Sequence, residues 1–94
     1  MELHEVDYKV PEGKLVRLRA QLDGDKLCSV TITGDFFLYP EERIAELEKA
    51  LAGKRLEKVT LQKIVSQTLS NCQMVGVSPE EFVIALLRLQ KDSL

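Results

Sequence analysis

The stretch LVRLRAQLDGDKLCSVTIT, from Leu15 to Thr33, decides the class of fold. Val16, Leu18, Ala20 and Leu22 are apolar, and Arg17, Arg19 and Gln21 stand between them. A strand sends successive side chains to opposite faces, so this alternation describes a strand with one face buried. Asp23-Gly24-Asp25 then supplies turn chemistry, and Cys28, Val30 and Ile32 continue the inward set opposite Ser29, Thr31 and Thr33. Two such runs around a turn make an antiparallel hairpin whose outer face can meet water. Parity constrains that hairpin. Placing both inward sets on one face pairs Ala20 with Cys28, Leu18 with Val30 and Val16 with Ile32, because a one-residue slip turns every side chain over. An odd loop of about three or five residues around Gly24 is therefore expected, although Asp-Gly more often marks a two-residue turn.

Upstream, Leu3 to Val10 shows the same period, with His4, Val6, Tyr8 and Val10 alternating against Glu5, Asp7 and Lys9. Pro11-Glu12-Gly13 breaks it with a turn. Downstream of Thr33 the period becomes helical. Pro40 suits a first helical position, Glu41 and Glu42 favour the positive N-terminal end, and Ile44, Leu47 and Leu51 form one stripe ended by Gly53. Thr60 is placed to cap a second helix burying Leu61, Ile64, Val65, Thr68, Leu69 and Cys72. Ser78-Pro79-Glu80-Glu81 reads as a capping box, with Glu81 reaching back and Val77 stapled on Phe82, before a third helix that buries Phe82, Leu86 and Leu89. The expected fold is α+β: a three-stranded antiparallel sheet with three helices, near 41–52, 61–73 and 79–91, packed on one face. Residues 1–94 are read as a single domain, with no repeat and no linker long enough to divide it.

Composition narrows the function classes. The chain has 94 residues, 45% apolar and 30% charged, with a net charge of −2, which suits a folded domain rather than a disordered segment. Charges of both signs are interspersed and nearly balanced, which argues against a polyanion-binding protein such as one that binds nucleic acid. The densest basic group, Lys54, Arg55, Lys58 and Lys63, is interrupted by Glu57 and reads as a solvated face. Cys28 and Cys72 form no CxxC pair, and as buried free thiols they suit a reducing cytoplasm. The N-terminus carries charges and no apolar core, so no secretory signal is expected, and no apolar run approaches the roughly 20 residues that span a bilayer. A cytoplasmic, free-standing chain is the expectation.

The sequence offers no catalytic centre. The one histidine, His4, lies on the apolar face of a strand, and one histidine with two separated cysteines cannot make a zinc site. No nucleophile motif surrounds it, and no glycine-rich phosphate loop is present. Two segments nonetheless exceed what the fold requires: Lys9 to Val16 and Val30 to Phe37. Phe36, Phe37 and Tyr39 place three of the five aromatics at the corner between the last strand and the first helix. Gly34 is expected where a Cβ would hinder the backbone, and Asp35 where its carboxylate can accept a backbone N–H. Such a corner needs about one buried aromatic, so core packing alone and core packing plus a partner interface both remain open.

These segments resemble the small C-terminal domain of lipoate-protein ligases, and in particular the separate accessory subunit of ligases split into two chains. The shared features are a Lys-x-Pro-Gly-Gly-Lys-Leu start (here Lys9 to Leu15, with Glu12 in place of the first glycine), a Gly-Asp-Phe-Phe corner (Gly34 to Phe37) and a helix ending in Leu51-Ala52-Gly53. The resemblance is carried by Lys9 to Gly53; beyond that only the helical pattern agrees. It implies an accessory subunit without catalytic residues, needed when a large catalytic subunit activates lipoate with ATP to lipoyl-adenylate before transfer to a lysine of a lipoyl acceptor domain. It also implies that the small domain changes position when the adenylate forms. ATP, magnesium and lipoate would belong to the complex, with no cofactor or metal held by this chain alone. Lys14, Asp35, Phe36 and Phe37 are then the candidates for partner contact or activation, and Gly13 and Gly34 for structural turns. Lys14 reads equally as a solvated lysine at a strand start. The alternative reading is a non-catalytic interaction or oligomerisation domain unrelated to lipoylation.

Overall fold

The computed structural model describes residues 2–91. The alternating stretch forms strands β1 (Glu2–Lys9), β2 (Leu15–Asp23) and β3 (Lys26–Gly34), paired antiparallel in that order. A short β4 (Phe37–Tyr39) leads into helix α1 (Glu42–Leu51), and β5 (Lys54–Arg55) into α2 (Lys58–Thr68). Strand β6 (Gln73–Val75) precedes α3 (Pro79–Lys91). The α+β class and the three helices match the expectation, but the sheet does not stop at three strands. β5 adds to β3 as a fourth, and β4 pairs antiparallel with β6 as a separate two-stranded ribbon. Neither addition was legible because runs of two or three residues are too short to show a period.

The hairpin solves its parity problem differently from the expectation. Asp23 pairs with Lys26 around a two-residue loop in which Gly24 takes φ 63°. The register then shifts by one between Gln21 and Leu22, leaving Cys28 as the extra residue of a β-bulge. Beyond the bulge Ala20 faces Val30 and Leu18 faces Ile32. Before it Leu22 faces Leu27, so Leu27 is fully buried where Cys28 had been expected, and Cys28 is only half-buried.

The inward residues Val6, Tyr8, Val16, Leu18, Ala20, Leu22, Leu27, Val30 and Ile32 form one buried face. α1 packs against β3, α3 against β1 and β2, and α2 against the other two helices. Leu47, Leu51, Leu61, Val65, Phe82, Leu86 and Leu89 close the core from the helical side. Gly53, at φ 84°, ends α1 and donates its N–H to the Leu27 carbonyl at 2.6 Å. Pro40 stands just outside α1, and its carbonyl accepts the Arg43 N–H at 3.1 Å. α2 starts before Thr60, with Glu57 in the capping position, and ends before Cys72 because the chain turns at Asn71, φ 63°. Arg43 reaches across to that turn and donates to the Thr68 and Ser70 carbonyls at 2.9 and 3.0 Å. Cys72 is half-buried beside it rather than buried in a helix.

The first turn of α3 is held by a side chain from the sheet. The Tyr8 hydroxyl donates to the Glu81 carboxylate at 2.6 Å, and the Arg88 guanidinium lies 4.7 Å from the Tyr8 ring centre. The Glu81 hydrogen bond, with burial added, pushes the phenol above its ordinary range. The Glu81 carboxylate thus serves the β1–α3 contact, while the Glu81 backbone N–H donates to the Ser78 carbonyl at 3.0 Å. On the β3 edge, beyond β5, the Glu48 carboxylate accepts the Ile32 N–H at 2.7 Å and blunts an otherwise open strand.

The bulge makes a measurable distinction between two neighbours. Leu27→Ala should cost about 2–5 kcal/mol by emptying a closed core site, whereas Cys28→Ala should cost under about 1 kcal/mol. Urea unfolding of the two variants separates them, and equal losses would contradict the register.

Candidate functional site

The two segments singled out in the sequence meet in one place. Lys9 turns back over the loop that follows it, its Nζ donating to the carbonyls of Val10 and Gly13. Within the loop, Gly13 N–H donates to Val10 O at 2.9 Å and Val10 N–H to Lys14 O at 3.0 Å. Glu12 takes φ 58°, a left-handed conformation that a glycine would adopt without cost and a glutamate adopts at some strain. Lys14 N–H then donates to Gly76 O at 2.9 Å, which docks the loop on the end of β6.

At the other segment, Asp35 grips β2 from both sides of one residue. Its carboxylate accepts the Leu15 N–H at 2.7 Å, and its own N–H donates to Leu15 O at 3.3 Å. The backbone N–H expected for this carboxylate is thus that of Leu15, 20 residues earlier in the chain. Gly34 lies so close to the Leu15 carbonyl and the Phe36 ring that a Cβ there would overlap both. Gly13 is equally constrained, since its Cβ would stand 2.6 Å from Gly76 O. Backbone thus meets backbone at two points, each through a glycine.

The corner sorts its aromatics. Phe36 turns inward and meets Phe82 edge to face, with ring centres 5.3 Å apart. Phe37 and Tyr39 point outward, 50% and 59% exposed, and Leu38 between them is buried. Phe37 sits opposite Val75, itself 61% exposed, and Tyr39 opposite Gln73. The β4–β6 ribbon therefore carries an apolar outer face, with Gly76 and the Lys14 loop at its end. Tyr39 was among the corner aromatics the sequence marked, whereas Val75 and Gly76 were not, because only the pairing of β4 with β6 brings residues near 75 to the corner.

The outer face of the main sheet is different in kind. Arg17 Nε lies 2.8 Å from Asp7 and Arg19 Nε 3.1 Å from Glu5, so this shallow depression holds paired charges. The Arg17 hydrogen bond holds the Asp7 carboxyl below the usual carboxylate range. Lys54, Arg55, Lys58 and Lys63 are exposed, and Arg55 bonds to Asp25 at 2.7 Å. Among the described residues, no three His, Cys, Asp or Glu side chains group as they would to hold a metal ion, and no helix is long and apolar enough to cross a membrane.

Fold and corner together define a small α+β module with a backbone seam that presents an apolar ribbon. The family of that module follows from comparison with known proteins. The family model described as "Bacterial lipoate protein ligase C-terminus" matches residues 4–86. The chain is 34% identical over 86 residues to "Lipoate-protein ligase A subunit 2" of Thermoplasma acidophilum, covering 89% of this chain and 87% of that protein. A solved structure of a bi-partite lipoate protein ligase and its E2 lipoyl domain from the same organism contains a chain similar to this one at TM-score 0.78 and 32% identity. That match covers 90% of this chain and 94% of that chain. The chain belongs to the lipoate-protein ligase C-terminal family.

The Asp35 grip has a direct test. Asp35→Ala leaves the Leu15 N–H without its acceptor and should destabilise the chain by about 1–2 kcal/mol, while Asp35→Asn, which keeps an acceptor oxygen, should cost less. Equal losses in chemical denaturation would show that the carboxylate does not hold Leu15.

Proposed function

We propose that this chain is the small, non-catalytic subunit of a two-chain lipoate-protein ligase. In this reading the large subunit binds lipoate, ATP and magnesium, forms lipoyl-adenylate and passes the lipoyl group to a lysine of a lipoyl acceptor domain. The observation that carries the reading is the extent of the match: the chain spans 94% of a chain from a ligase that is itself divided in two. The structure supplies what a docking subunit needs. Phe37 is an exposed aromatic on the paired β4–β6 ribbon, the kind of side chain that anchors interfaces, and Lys14 stands at the end of that ribbon. Asp35 and Phe36 act one step back, by fixing the corner from which Phe37 projects.

The small subunit acts on the adenylation step by favouring one arrangement of the large subunit. It can do so only through contacts that differ between the two arrangements. Lys14 supplies a cation for an anionic group of the large subunit, and Phe37 supplies apolar contact area. No bond is made or broken on this chain.

Lipoate-dependent pyrophosphate release should appear when the purified chain and the large subunit are mixed, and not with this chain alone. Phe37→Ala should weaken assembly by about 2 kcal/mol, roughly thirtyfold in Kd. Lys14→Ala should lower lipoyl-adenylate formation while leaving transfer from supplied lipoyl-adenylate largely intact. Turnover by this chain alone, or no response to mixing, would refute the subunit assignment. A parallel fall in both half-reactions would refute the role given to Lys14.

A further inference from the structure

Gly76 connects β6 to the Ser78-Pro79 start of α3 and has no place in the sequence motifs that mark the family resemblance. Its φ is 85°, and the Lys14 N–H bonds to its carbonyl. The stem of Lys14 lies directly over its Cα: a Cβ added at Gly76 would overlap Lys14 Cγ and stand 2.9 Å from Lys14 Cβ. The lysine therefore follows a channel that exists only because residue 76 has no side chain. Gly76 directly follows Val75, which shares the outer ribbon face with Phe37.

We propose that Gly76 is a positioning residue for Lys14, holding its stem across the end of the β4–β6 ribbon so that the ammonium group and the apolar face of Phe37, Tyr39 and Val75 reach the large subunit as one surface. The partner chemistry this fits is an anionic group bordering an apolar hollow. The inference rests on the role given to Lys14 under the proposed function and adds the residue that fixes its direction. A lysine swinging freely would lose side-chain entropy on engagement, whereas one laid in a channel has lost part of it already.

The structure supplies its own control. Gly53 has φ 84°, nearly that of Gly76, yet a Cβ there meets nothing within 4 Å. Gly53→Ala and Gly76→Ala thus share the backbone strain of a left-handed alanine, and only the second collides with Lys14. The Lys14 methylene resonances of the labelled chain and its lipoyl-adenylate formation with the large subunit are the two readouts. Gly76→Ala should move the Lys14 resonances and lower adenylation by about the factor that Lys14→Ala does; Gly53→Ala should do neither. In a Lys14→Gly background, where the stem is gone, Gly76→Ala should cause no further loss of adenylation. Unmoved Lys14 resonances in Gly76→Ala would overturn the inference. So would a similar activity loss in Gly53→Ala, or a full further loss in the Lys14→Gly background. If Lys14→Ala is slow and Gly76→Ala adenylates at the unmutated rate, the inference alone fails. If Lys14→Ala itself adenylates at the unmutated rate, the role of Lys14 fails first and the inference with it.

Discussion

The carbonyl of Leu15 approaches Gly34 so closely that no side chain fits between them, and the corner of the molecule is built on that contact. Asp35 secures it with a carboxylate on the Leu15 N–H and a backbone N–H on the Leu15 carbonyl. With residue 35 tied to β2, the alternation of the next residues has one outcome: Phe36 falls against Phe82, Phe37 faces out, Leu38 falls in and Tyr39 faces out. A second close approach, Gly13 against the Gly76 carbonyl, ties the preceding loop to the far side of the same ribbon. Two seams, each made by backbone meeting backbone at a glycine, therefore place one lysine and an apolar ribbon together.

Much of the framework was legible because its periods are long. The eight or nine residues of β1, β2 and β3 show their buried face directly, as do the stripes of α1 and α3. The loop parity was misread for a physical reason. A sheet can correct its register with an odd loop or with a bulge; the Asp23-Gly24 pair signalled the tight turn, but parity alone set that signal aside by leaving out the bulge that buries Leu27. α2 was misplaced because Leu69 and Cys72 keep the apolar spacing after the helix has ended, and Asn71 turns the chain with a conformation that asparagine adopts more readily than most. At the candidate site, Lys14, Asp35, Phe36 and Phe37 could be named from local sequence. Phe37's cross-strand partner Val75 and the role of Gly76 could not, since both depend on a contact between segments more than 30 residues apart.

The two exposed surfaces suit different tasks. On the sheet, Glu5, Asp7, Arg17 and Arg19 neutralise one another in cross-strand pairs, leaving a polar face stable in water. On the ribbon, Phe37, Tyr39 and Val75 leave apolar area in water with no such compensation. A subunit that contributes to catalysis without making bonds needs a surface of the second kind, because burying it supplies the binding free energy that can favour one arrangement of a partner over another. The family match spans residues 4–86 and so includes the segments that build this ribbon.

Backbone amide resonances of the isotopically labelled chain, followed as the large subunit is added, test this account most directly. It predicts that the largest changes fall on Lys14, Phe37, Tyr39, Val75 and Gly76, with Glu5, Asp7, Arg17 and Arg19 little affected. Changes concentrated on the paired charges of the sheet, with the ribbon unaltered, would contradict it.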